Sequence, residues 1–159
     1  MKITVVCVGK LKEEYLRAAQ AEYVKRLGAY VKLAIVEVAE EKAPEGLSDR
    51  EIELLLTKEG ARIEKALGEG VYAVALAIGG EGLSSEDFAG RWAGLAVGGV
   101  SHMAFVIGGS LGLSGHILKR CRMRLSLSDM TFPHQIARVL LLEQIYRAQK
   151  INNNEPYHK

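Results

Sequence analysis

VYAVALAIGG, residues 71–80, runs through eight apolar residues without a charge and stops at a pair of glycines. A strand with one face in water would alternate apolar and polar residues. An unbroken run of this length is instead expected of a strand covered on both faces, as in a parallel sheet between helical layers. Working outward, residues 3–8 form a β-branched run that closes on Gly9, and residues 103–107 form another apolar run that meets Gly108-Gly109. Residues 31–38 place Val31, Leu33, Ile35 and Val36 in a further strand pattern. Helical spacing separates these runs. Tyr15, Leu16, Ala19, Tyr23 and Leu27 recur along one helix face, and Gly28 is its stop. Ser48 and Glu51 have the spacing of a capping box before a helix to about Leu67, and Ser84 or Ser85 caps a helix to about Val97. The alternation predicts an α/β fold: one domain with a mainly parallel sheet, helices on both faces, and ligands gathered at the carboxyl ends of the strands.

Composition sets limits on function. The chain has 159 residues, enough for one core, and no apolar run approaches the roughly 20 residues needed to cross a bilayer. The opening MKITVVCVGK leads directly into strand-like sequence, so a cytoplasmic location is expected. Cys7 and Cys121 fit no metal spacing and are expected to be free thiols, and no metal site is expected. The net charge of +2 does not by itself signal a nucleic-acid partner. Its distribution is more informative, because KRCRMR at 119–124 concentrates four cations in a segment that either meets phosphate or forms a solvated basic face.

Three segments carry candidate chemistry. Gly108, Gly109 and Gly112 let backbone approach a ligand or simply make a turn, and they match neither a dinucleotide fingerprint nor a phosphate loop. LSLSDMTF at 125–132 reads as a strand and polar loop in which Ser126, Ser128, Asp129 and Thr131 either read a nucleoside or form a cap and turn. Pro133 suits the first position of a helix to about Lys150, with Ile136, Val139, Leu140 and Ile145 toward the core and His134 and Arg138 on another face. The tail NNNEPYHK has no helical pattern but ends in an aromatic and an imidazole, Tyr157 and His158.

The opening MKITVVCVGKLKEEY, the segment VEVAEEKAPEGLSDREIE at 36–53, IGGSLGLS at 107–114, LSLSDMTFPHQIARVLLLEQIYRA at 125–148 and the terminal YHK together resemble the RlmH family of SPOUT (α/β-knot) methyltransferases. The resemblance covers nearly the whole chain. It implies a C-terminal trefoil knot over about 103–150, contrary to the general rule that chains are unknotted. It also implies S-adenosylmethionine as cofactor, with contacts at Leu76, Gly108, Leu127, Ser128, Asp129, Met130, Thr131 and Phe132. The implied reaction is methylation of N3 of a pseudouridine in large-subunit ribosomal RNA. The implied assembly is a homodimer in which the cofactor of one subunit meets groups of the other. Cofactor motifs do not report the target, so transfer RNA, or a non-catalytic role as a ribosome-binding assembly factor, stays open.

The N3 proton must leave before nitrogen attacks, which calls for a base or for a cation that stabilises the anion. His158 is the first candidate and Arg138 the second. Tyr157 is expected to position the base, and His134 with Arg138 to meet RNA phosphate or the pocket floor. The chain has no appended RNA-binding module, so recognition is expected to depend on the shape of the assembled ribosome.

Overall fold

A computed structural model describes all residues from Met1 to Lys159. Five strands, β1 (Lys2–Val8), β2 (Lys32–Val38), β3 (Tyr72–Gly82), β4 (His102–Ile107) and β5 (Met123–Ser126), form one sheet in the order β2-β1-β4-β3-β5. Every neighbouring pair is parallel. Five helices connect them: α1 (Glu14–Leu27), α2 (Asp49–Leu67), α3 (Ser85–Val97), α4 (Gly115–Arg120) and α5 (His134–Asn152).

The side-chain period of two sorts the strand residues into two cores. Ile3, Val5 and Cys7 of β1 face a cluster that includes Leu27 of α1, Phe88 and Trp92 of α3, and Leu141, Leu142 and Ile145 of α5. Val6 and Val8 face the other way, onto Ile63 and Leu67 of α2 and Ile117 of α4. Helices therefore cover both faces of the sheet at Ala73, Val74 and Ala75, whereas Ile78, at the end of the apolar run, is exposed. Both cysteines are free and buried, and burial pushes the Cys7 thiol up to about 12. No helix is long and apolar enough to cross a membrane.

Local signals are realised where they are strongest. Ser48 Oγ accepts from the Glu51 N–H at 3.3 Å, and the Glu51 carboxylate accepts from the Ser48 N–H at 2.8 Å, completing the capping box. Ser84, not Ser85, caps α3.

Three expectations need correction. Strand β3 does not stop at Gly79-Gly80 but continues to Gly82, with a register shift against β5 between Leu76 and Glu81. A Cβ at Gly80 would lie 2.7–2.9 Å from the backbone of Arg124 and Leu125, so this glycine permits close strand approach within an irregular ladder. The basic segment at 119–124, by contrast, keeps Lys119, Arg122 and Arg124 exposed, in line with a solvated basic face, while it ends the short helix α4 and enters β5. Pro133 is the N-cap of α5 rather than its first residue, since its ψ of 139° is not helical. Finally, Ile136 is exposed, and the core-facing stripe of α5 begins further along, at Leu141.

Candidate active site

The carboxyl ends of β3, β4 and β5 border a cavity of about 790 Å³, within the range of small-molecule sites. Its walls are residues 76–79, the turn after β4, the β5–α5 loop, and His134 and Ala137 from the first turn of α5. The turn after β4 is held closed, with the Gly112 N–H donating to the Gly109 carbonyl at 3.1 Å. A Cβ at Gly108 would collide with the Gly112 carbonyl, so only glycine fits there.

The loop at 127–132 is unusual in its backbone pairing. None of its backbone groups pairs with another backbone group. Side chains satisfy two of them: Ser126 Oγ donates to the Ser128 carbonyl at 2.9 Å, and Ser128 Oγ accepts from the Met130 N–H at 3.0 Å. The two serines thus shape a turn from inside the loop. The remaining N–H and C=O groups are left for water or a ligand, which suits recognition of a heterocycle by its edge. The apolar wall and the free backbone loop fit a nucleoside-containing cofactor.

At the start of α5, directly after this loop, His134 Nε2 is inaccessible and has no hydrogen-bond partner. Its nearest acidic neighbour is Glu40 Oε1 at 4.0 Å. Burial holds the His134 imidazole below its ordinary value, Arg138 and Lys12 act in the same direction, and Glu40 opposes them. Burial lowers His102 likewise, with help from Lys2. A histidine that resists protonation only when folded leaves the unfolded chain binding more protons once the pH falls below about 6.5. Native stability should therefore drop as pH is lowered through 6.5 toward the depressed folded values. Thermal melts across pH 7.5 to 5 should show this, and His134→Gln should flatten part of the slope.

Arg138, one turn further along α5, is not at RNA phosphate or the pocket floor as expected: it neither reaches the surface nor lines the cavity. It is 1% exposed. Its guanidinium donates to Glu37 Oε1 of β2 at 2.6 Å, to the Gly9 carbonyl at 2.9 Å and to Gln20 Oε1 of α1 at 3.3 Å. It holds α5 to the sheet rather than facing phosphate.

The tail folds back on its own chain along the second half of α5. The Tyr157 hydroxyl donates to Glu143 Oε1 at 3.0 Å, its ring meets Tyr146 edge-on with centroids 4.9 Å apart, and Arg147 lies over it at 4.7 Å. Burial, reinforced by Tyr23 and Glu143, holds the phenol well above its ordinary value. His158 Nε2 lies 2.8 Å from Glu86 Oε1, and Nδ1 lies 3.2 Å from Arg147 Nη1.

The whole chain also matches known proteins. A family model described as "Predicted SPOUT methyltransferase" matches residues 1–158. The chain belongs to the SPOUT methyltransferase family. Relatives called ribosomal RNA large subunit methyltransferase H are 57% identical in Bifidobacterium animalis subsp. lactis, 55% in Clostridioides difficile and 54% in Exiguobacterium sibiricum. Each match covers 159 residues and the full length of both proteins.

SPOUT membership carries the α/β-knot fold and implies a methyl donor. Of the residues expected to contact a cofactor, Leu76, Gly108, Leu127, Ser128, Met130, Thr131 and Phe132 line the cavity, while Asp129 does not. His134 lines it too, whereas Arg138, Tyr157 and His158 do not. Sequence reasoning missed Glu40, Glu86 and Glu143. Only Glu143 left a trace, the i,i+4 spacing to Arg147 that forms an ion pair here.

Proposed function

We propose that this chain transfers the methyl group of S-adenosylmethionine to N3 of a pseudouridine in large-subunit ribosomal RNA, acting as a homodimer on the assembled ribosome in the cytoplasm. The observation that carries this reading is the cavity. Its apolar strand end at Leu76, its glycine turn at Gly108 and its unpaired backbone loop at 127–132 converge on one volume, in a chain matched over its full length to proteins named for ribosomal RNA methylation.

The cofactor supplies an electrophilic methyl group on a sulfonium. The chain's task is to hold it and to bring the base into line. Residues 127–132 would bind the adenosine portion through free backbone groups, with Leu76 and Gly108 closing its sides. Tyr157 and His158 would position the base and manage the N3 proton. Helix α5, with 19 residues, spans roughly 28 Å. It starts at the cavity, and the tail packs on it from Glu143 onward without lining the cavity, so a tail serving this cavity would come from a second subunit. The outer face of α5 favours such a partner, because Ile136 is exposed and Val139 and Leu140 remain half-buried in the lone chain.

Nucleoside mass spectrometry tests the reaction and target together. Ribosomal RNA from a strain lacking this protein should lose one methylated pseudouridine, and purified protein should restore it on intact ribosomes far faster than on naked RNA. Loss of a methylated transfer-RNA nucleoside, or no loss at all, would overturn the assignment.

A further inference from the structure

Tyr157 and His158 sit on a tail, residues 153–159, that belongs to no helix or sheet strand. Chain ends of this kind fray unless something ties them down. The tie is made by Glu155. After α5 the backbone reverses through Asn154, whose φ of 53° lies in the left-handed region that asparagine tolerates better than most residues. The Glu155 N–H then donates to the Lys150 carbonyl at 2.9 Å and closes the turn.

The Glu155 carboxylate meets two donors on one oxygen. The Tyr30 hydroxyl, from the turn between α1 and β2, donates to Oε2 at 2.5 Å, and the Lys150 ammonium lies 2.5 Å from the same atom. Lys150 and Tyr30 hold the Glu155 carboxyl below its ordinary range, so both contacts are made to the charged form. The Lys150 ammonium also lies over the rings of Tyr30 and Tyr146, 5.7 and 5.6 Å from their centroids. Tyr30 meets Tyr146 edge-on at 6.0 Å, and Tyr146 meets Tyr157 edge-on at 4.9 Å. Contacts therefore run without a break from the α1–β2 turn to the phenol of Tyr157.

The other ties of the tail differ in kind. Those of Tyr157 to Glu143, and of His158 to Glu86 and Arg147, use the two side chains that would meet the base, and so compete with it. The Asn153 side chain donates only to the Gln149 carbonyl of its own helix. Glu155 alone joins the tail to a separate element without engaging either working side chain. Its anchor can stay closed while Tyr157 and His158 exchange partners.

We infer that Glu155, clamped by Tyr30 and Lys150, is a positioning residue for methyl transfer: it fixes the tail backbone so that Tyr157 and His158 are presented to the base in one arrangement. This rests on the reading above, in which the tail of one subunit serves the cavity of the other, and adds to it the device that orders the tail beforehand.

Steady-state methyl transfer to intact ribosomes by the full-length protein, with calorimetry of S-adenosylmethionine, separates this role from a general loosening of the fold. Glu155→Ala should lower kcat about tenfold or more, since a misplacement of about 1 Å can cost about a hundredfold. The KM for ribosomes and the cofactor Kd should stay within about twofold. Glu155→Gln, which still accepts from Tyr30 but lacks the charge, should recover part of the rate. Tyr30→Phe removes one hydroxyl and keeps the ring packing. It should lower kcat alone, by a smaller factor, and it decides the case if Glu155→Ala does not fold. Unchanged or increased kcat in Glu155→Ala overturns the inference, as does a loss of cofactor affinity in step with the rate in both variants. His158→Ala tests the reading beneath it. Full activity of that variant shows that the tail is not used, whereas an inactive His158→Ala beside a fully active Glu155→Ala removes the positioning role alone.

Discussion

Replacing Glu37 with leucine should destabilise the protein by about 3–5 kcal/mol, the range for breaking a buried ion pair from one side. The reason lies in an asymmetry of burial. The Arg138 side chain is 1% exposed, whereas that of Glu37 is 31% exposed. Remove the carboxylate, and a cation is left in the interior with only the Gly9 carbonyl and Gln20 as acceptors. Remove the cation instead, as in Arg138→Met, and the surviving carboxylate can still reach water. That variant should lose less, mainly through the unpaired Gly9 carbonyl. The double variant should therefore be more stable than Glu37→Leu alone, which is impossible if the two residues act independently. Urea unfolding with unchanged slope would measure all three differences. Additive losses would show that the pair is not coupled. Since Arg138 ties the first turns of α5 to the ends of β1 and β2, the variants should also loosen His134 and lower cofactor affinity.

The same residue marks the boundary of what sequence could disclose. The strands were legible because burial on both faces writes itself as an uninterrupted apolar run, and the first turn of α2 was legible because its capping partners are three residues apart. Arg138 and Glu37 are 101 residues apart, and nothing in QIARVL distinguishes a buried arginine from a solvated one. Gly79-Gly80 misled for a related reason: a glycine pair that ends a strand and one that admits a neighbouring backbone look identical until the neighbour is known. Helix α4, only six residues long and capped by Ser114, was hidden within a glycine-rich and basic stretch. On the cavity, local sequence marked Gly108 and the loop as ligand contacts or simple turns, and family resemblance added Leu76 and the convergence of all three, which periodicity cannot encode.

Two inactive variants should restore activity to one another when combined. Gly108→Ala puts a methyl group where the Gly112 carbonyl already stands, so it should abolish cofactor binding while leaving the distant tail intact. His158→Ala should retain the cofactor seat but lose the proposed proton-handling group, a reduction of roughly 10²–10⁴-fold for a general base. If each active site combines the cavity of one subunit with the tail of its partner, a mixed dimer contains one site in which both parts are wild type. Random mixing in a two-fold symmetric dimer makes about half the dimers mixed, so about a quarter of all sites should work. If each site were built within a single chain, every site in the mixture would carry a defect, and no activity would return. The expectation of recovery follows from the tail contacts with Glu86, Glu143 and Arg147, which hold Tyr157 and His158 against α5 from its midpoint onward, while the cavity takes only the first turn of that helix and neither tail residue lines it. Co-refolding the variants, with methyl incorporation into ribosomes as the readout, decides between the two arrangements. Size-exclusion chromatography of each variant alone confirms that dimers were present to exchange.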